Sequence, residues 1–236
     1  MTPAFVAARP GGYVHRVGRG ADAWAWPAWA YAGDDGTFGN RFDDPAGEYR
    51  VLYASSPRIG AFLETLARYR TDPALVAEYE QMTLEPEDVE SYPTIAPGVV
   101  PAGWCASRTI GTARHDGPFA DIGHSRGLAG LRVALASRLV HYGLDDLDAG
   151  DVRRRAPRAF TQEISRYVFE RGVTDEGEPL IGIRYLSRLG DEIENWAIFE
   201  GTEPYDKRSE EVAHDDPDLL AALRTLDLVM AEGNSA

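Results

Sequence analysis

A single cysteine in 236 residues, Cys105, sets the first limits. It excludes an internal disulfide and a cysteine-based zinc cluster. It fits a reducing, cytoplasmic setting in which Cys105 is a small buried apolar residue. Histidines number only 5, and His115-Asp116 and His214-Asp215-Asp216 lack the ligand spacing of a zinc site, so no metal is expected. No run of 18 apolar residues occurs, so no membrane span is expected. The stretch Met1–Pro10 has neither a basic start nor a full apolar core, which argues against a signal peptide. Basic residues are outnumbered, 24 against 38 acidic ones, giving a net charge of -14. Phosphates repel such a surface, so neither nucleic acid nor an anionic membrane is an expected partner. No Gly/Ser linker, charge block or repeat divides the chain, and one domain is expected.

What is present is ordinary for a globular protein, with 44% apolar residues. Alternation predicts strands at Tyr13–Val17, Tyr49–Ala54, Trp104–Ile110, Phe119–Ile122, Leu180–Tyr185 and Trp196–Glu200. Ser56-Pro57 reads as an N-cap followed by a first-turn proline, opening a helix with Ile59, Phe62, Leu63 and Leu66 on one stripe. Asp72-Pro73 predicts a second helix, and Glu85–Pro101 reads as irregular. Further helices are expected over Leu128–Tyr142, over Thr161–Arg171 with Gly172 as its stop, and from Asp216-Pro217 through Met230. Gly18–Thr37 reads as a loop anchored by Trp24, Trp26, Trp29 and Tyr31. Strands and helices mix without a regular βαβ beat, which predicts an α+β fold.

Three polar residues far apart in sequence are the candidates for chemistry. Arg41 lies in Gly39-Asn40-Arg41-Phe42-Asp43-Asp44-Pro45, and its planar fork suits phosphate oxygens. Glu64 lies off the apolar stripe of its helix and so faces water or a cleft. Ser187 follows Gly182-Ile183-Arg184-Tyr185-Leu186, and alternation puts it on one face with Tyr185. Taken alone, each has a plain reading: a solvated arginine, a solvated helix glutamate and a strand-end serine bonded to nearby backbone.

Together these segments resemble the RES domain family, named for its Arg, Glu and Ser. His15-Arg16-Val17 resembles the family's first strand, which carries its own Arg, and Leu52-Tyr53-Ala54 resembles the strand that presents a Tyr to the site. Thr161–Arg166 resembles the helix before the serine strand, and Asn195–Glu200 the closing strand. The resemblance spans residues 13–200 as a RES domain and leaves 201–236 as an acidic C-terminal tail with one amphipathic helix. It implies a mixed β-sheet core like that of ADP-ribosyltransferases, flanked by helices. It further implies an enzyme that breaks the nicotinamide–ribose bond of NAD, with water or phosphate as acceptor or, in a few members, a protein. NAD is then the substrate, and no resident cofactor is implied. Toxin–antitoxin pairing, an Xre-type antitoxin partner and paired protomers belong to the same expectation. In this picture Glu64 stabilises the ribosyl cation, Arg41 and Arg16 clamp the pyrophosphate, and Tyr53 stacks on a base. Ser187 holds the ribose or orients Glu64.

A rival motif is Gly123-His124-Ser125-Arg126-Gly127, which matches the G-x-S-x-G elbow of serine hydrolases. No His-Gly-Gly oxyanion loop precedes it, and the downstream histidines are His141, on a predicted helix, and His214, in a polar cap. Ser125 reads better as a helix N-cap. A third reading is a RES-like module that binds a nucleotide or a partner without turnover.

Overall fold

The computed structural model describes residues 5–74, 77, 98–153 and 157–232. The strands are β1 (Ala7–Ala8), β2 (Val14–Arg19), β3 (Val51–Ser55), β4 (Val99–Val100) and β5 (Arg108–Arg114), followed by β6 (Phe119–Asp121), β7 (Gly182–Leu186), β8 (Glu194–Phe199), β9 (Tyr205–Glu211) and β10 (Val229–Met230). The helices are α1 (Arg58–Leu66), α2 (Ser125–Ala134), α3 (Ala136–His141), α4 (Ala149–Arg153), α5 (Arg158–Arg171) and α6 (Pro217–Thr225). Eight strands form one sheet in the order β1-β6-β7-β8-β3-β2-β5-β9, and β4 pairs with β10. Within the large sheet β6 and β7 run parallel, and the other described neighbours run antiparallel. The α+β expectation therefore holds, with a mixed sheet flanked by helices in a single domain.

The sheet has a weak seam. β3 pairs with β8 over Val51–Ser55 and β2 pairs with β5 over Val14–Arg19, but β2 meets β3 at one register pair, His15 opposite Ser55. Two apolar clusters lie on the same face, one on each side of this seam. The first joins Phe42, Tyr185, Ala197 and Phe199 to Phe160 and Ile164 of α5. The second joins Ile110 to Phe62, Leu63 and Leu66 of α1 and to Leu219 and Leu223 of α6. A third cluster, with Val14, Trp24, Leu52 and Trp196, covers the opposite face. This division follows from the two-residue period of strands. Tyr185, Asn195, Ser55 and His15 are register partners in turn, so a polar row crosses four strands between the two cores.

Several elements depart from the expectations. Trp104 and Cys105 lie in a 3-10 turn, Ala102–Ser107, ahead of β5. Both are buried in the second cluster, with Phe62, Leu66 and Leu223. Burial also pushes the Cys105 thiol pKa up. The Leu128–Tyr142 helix is broken at Leu135, whose ψ of 17 leaves the helical range. Leu131, Leu135 and Leu139 stay buried across the break, while Val140 is 79% exposed. The last helix ends at Thr225, and Val229–Met230 pairs instead with Val99–Val100. Asp216 caps it, accepting from the backbone of Asp218 and Leu219 with Pro217 in the first turn. Ser56 is not the N-cap of α1. Its hydroxyl donates to Glu194 at 2.7 Å and accepts from Trp196 Nε1 at 2.9 Å, so Pro57 takes the cap position without a side-chain bond. Gly172 ends α5 with a negative φ of -72. It is needed for closeness, because a Cβ there would overlap the Val168 carbonyl oxygen. The helix expected from Asp72-Pro73 begins as read, with Asp72 Oδ1 accepting from Ala74 N at 3.0 Å, while the rest of it apart from residue 77, and most of Glu85–Pro101, lie outside the described residues.

In the Gly18–Thr37 loop Trp24 is buried, and Trp26 and Trp29 flank the Arg50 guanidinium at 5.9 and 5.5 Å. Tyr31 is 81% exposed and so anchors nothing. Among the described residues no helix is long and apolar enough to cross a membrane.

Candidate active site

The site forms where α1 crosses the polar row. Two contacts fix α1. Gly60 lets the helix approach β3 so closely that a Cβ would overlap Ser55 Oγ. Arg58 binds Asp216 at 2.6 Å and Asp218 at 2.8 Å, tying the start of α1 to the start of α6. The Arg58 hydrogen bonds hold the Asp216 carboxyl below its usual range against the opposing effect of burial.

Glu64 projects from the exposed side of α1 toward β7 and β8. Its Oε1 accepts from Ser187 Oγ at 2.6 Å and from Asn195 Nδ2 at 2.7 Å. Both donors are 1% exposed, whereas Glu64 itself is exposed. The Ser187 hydroxyl oxygen also accepts from Leu189 N at 2.9 Å, which fixes its rotor toward the carboxylate. Among the described residues Oε2 has no hydrogen-bond partner. Glu64 is thus a carboxylate locked by one oxygen and open at the other.

Arg41 lies over the ring of Tyr185. Its guanidinium carbon is 5.9 Å from the Tyr185 ring centroid, and its Nη1 is buried with no acceptor among the described residues. Buried donors are ordinarily satisfied, so an unpaired arginine nitrogen stands out. Burial, with Glu64 adding to it and Arg41 opposing, raises the Tyr185 phenol far above the usual range. Tyr185 therefore stays protonated and keeps a donor within the electrostatic reach of both the carboxylate and the arginine. It also lines a cavity of about 240 Å³ with Asp121, His124, Arg153 and Arg184.

The turn that carries Arg41 is held from within. Tyr53 donates its hydroxyl to Asp43 at 2.8 Å and accepts from Phe42 N at 2.9 Å. Asp43 also accepts from the backbone and side chain of Asn40, both at 2.7 Å. Burial raises the Asp43 pKa despite these bonds. The Tyr53 hydroxyl is therefore committed to the turn.

Arg16 is not brought to this group. Register places it opposite Gly111, on the sheet face of the third cluster, away from Glu64. Its guanidinium donates to the Ala23 carbonyl, its Nε has no partner among the described residues, and burial lowers its pKa to about 10. Alternation within His15-Arg16-Val17 carries this information, since His15 faces the polar row. Asn195 and Tyr185 were not singled out from sequence. Ser187's face-mate two residues earlier was the available signal for Tyr185, but the donor role of Asn195 depends on its pairing with Tyr185 across β7 and β8.

Ser125 does not form an elbow. It is the exposed first residue of α2, and its hydroxyl makes no hydrogen bond among the described residues. Nor is it the N-cap, because His124 is extended and its Nδ1 accepts from Arg126 N at 3.2 Å. Among the described residues no group of three or more His, Cys, Asp or Glu side chains is placed to hold a metal ion.

Fold and site together define a mixed-sheet α+β protein with a pinned carboxylate between two cores. Residues 13–220 match the RES domain, and the chain belongs to that family. No curated protein matches it.

Proposed function

We propose that the protein cleaves the nicotinamide–ribose bond of NAD, as a glycohydrolase or a phosphorylase. The observation that carries this reading is the Glu64 carboxylate, held at Oε1 by Ser187 and Asn195 and open at Oε2. Nicotinamide leaves with the bonding electron pair as a neutral ring and needs little acid assistance. The ribose carbon acquires oxocarbenium character, as in glycoside cleavage. A fixed carboxylate stabilises that charge without reorganising, and its open oxygen can hold the ribose 2-hydroxyl. Water or phosphate then adds through oxygen to the carbon; water releases a proton. Arg41, with its unpaired Nη1, suits a pyrophosphate oxygen, and the neutral Tyr185 phenol can donate to the substrate. Ser187 orients Glu64, and Tyr53 holds the Arg41 turn.

The family membership supports a toxin-like, nucleotide-acting role, and an Xre-type antitoxin and a homodimer are the partners this reading includes. The test is to incubate the purified protein with NAD, with and without phosphate, and to separate the products. Free nicotinamide with ADP-ribose, or with its 1-phosphate, is the expected result. Intact NAD at high enzyme concentration under both conditions would sink the reading.

A further inference from the structure

We propose that Thr161 and Ser165 of α5 are positioning residues that set Arg41 for its substrate, an inference that rests on the NAD reading above. The Arg41 segment belongs to neither helix nor strand. Its carbonyls therefore have no ladder to join, and unsatisfied ones would be costly. One helix supplies the partners. Arg158 Nη1 donates to Gly39 O at 2.7 Å and Gln162 Nε2 to Asn40 O at 3.0 Å. Thr161 Oγ1 lies 2.6 Å from Arg41 O, closer than the 2.9 Å to its own helix's Arg158 O, and so donates its one proton to Arg41, while Ser165 Oγ donates to Phe42 O at 2.6 Å. Four consecutive carbonyls are thus met by residues at i, i+3, i+4 and i+7, the spacing of one helix face. The next residue, Arg166, reaches Asp44 at 3.1 Å.

Thr161 and Ser165 are the buried members of this set, on a face where apolar side chains would be the rule. Ser165 is further fixed by Tyr49, whose hydroxyl lies 2.9 Å from its own. Neither touches Glu64 or the Arg41 guanidinium. Their effect runs through the backbone, which sets where the guanidinium starts. A displacement of about 1 Å at a reacting group can cost on the order of a hundredfold, so a tether at the Arg41 carbonyl has leverage on substrate binding.

The test uses Thr161→Val, which keeps shape and loses the donor, with Thr161→Ser as the rescue. NAD kinetics are measured beside trypsin cleavage at the Arg41–Phe42 bond, followed by mass spectrometry without NAD. Thr161→Val should raise KM for NAD by roughly tenfold and leave kcat within about twofold. Cleavage at Arg41–Phe42 should rise while cleavage at Arg50 does not, and Thr161→Ser should restore both. Unchanged KM with unchanged cleavage would overturn the proposal. So would cleavage that rises equally at every arginine, because that reports general loosening. If Thr161→Val does not fold, Gln162→Met removes the Asn40 tether from a less buried position and should show the same pattern more weakly. If the wild type leaves NAD intact, the NAD reading fails, and the cleavage arm still decides whether α5 holds the turn.

Discussion

The two arginines that the family resemblance draws together, Arg41 and Arg16, are separated by the sheet itself. Both are half-buried arginines, each with one buried guanidinium nitrogen that lacks a partner among the described residues. Arg41 lies over Tyr185 on the face that carries Glu64, Ser187 and Asn195. Arg16 lies on the other face, among Ala23 and Trp24, with its guanidinium given to a backbone carbonyl. The difference teaches that an unpaired buried donor marks a binding group only when other reactive groups face the same space. On the Glu64 face the polar groups converge. On the Arg16 face they are dispersed among packed rings.

The sharpest way to break this contrast is Glu64→Gln. The amide keeps the shape but loses the charge, and turnover of NAD should fall about a hundredfold or more with binding largely kept. Because Glu64 is exposed, the melting temperature should barely move; near-normal turnover would make it a solvated glutamate after all. Next in size is Arg41→Lys, which keeps the charge and loses the fork. NAD affinity by calorimetry should weaken by about 1.5–3 kcal/mol. Arg16→Lys should change affinity less than Arg41→Lys does, and the reverse order would move the phosphate clamp to the opposite face.

A pH experiment examines what holds α1 in place. Hydrogen bonds from Arg58 hold the Asp216 carboxyl below the usual carboxylate range. A depressed carboxyl contributes stability above its unfolded pKa and loses it as pH falls through the folded one. Wild type should therefore lose stability on acidification below about pH 4 more steeply than Asp216→Asn, which keeps a capping oxygen without the titration. Parallel acid curves for the two proteins would remove the ion pair from the account of α1. Smallest of all is the pair at the start of α2. His124→Ala should cost about 0.5–1 kcal/mol through the lost cap, and Ser125→Ala should stay within about 0.5 kcal/mol. Neither should alter NAD turnover, and labelling of Ser125 by a fluorophosphonate would contradict both the cap assignment and the NAD reading.

Much of the framework was legible in sequence because it rests on apolar period. The strands at 51–55, 119–121, 182–186 and 194–199 and the buried stripe of α1 fall close to where alternation and helical spacing put them. β9 was invisible for a complementary reason. Tyr205–Glu211 is exposed along its whole length and reads as a polar tail, and it is a strand only because β5 offers it an edge. The caps at Ser56 and Ser125 were misread because a hydroxyl can be claimed by tertiary partners or outcompeted by a neighbour, as Trp196 and His124 do here. At the site, Glu64's separation from its stripe was readable, but the convergence of Ser187 and Asn195 on one oxygen depends on strand pairing across more than a hundred residues of chain. Alternation puts Arg16 on the face opposite His15 and Val17, but which of the two faces carries Glu64 depends on strand pairing.

The tie between Arg58 and Asp216 has a consequence for the order of events in a growing chain. Glu64 is made early, but the helix that bears it leans on α6, and α6 is followed by a strand that closes on Val99–Val100. Chains emerge from the ribosome from the N-terminal side, and domains fold as units. The carboxylate therefore gains its footing only after residues 216–230 have been made. A nascent chain stalled before them carries every candidate reactive group and lacks the brace beneath Glu64. On the proposed NAD reading, cleavage would begin only once residues 216–230 have been made.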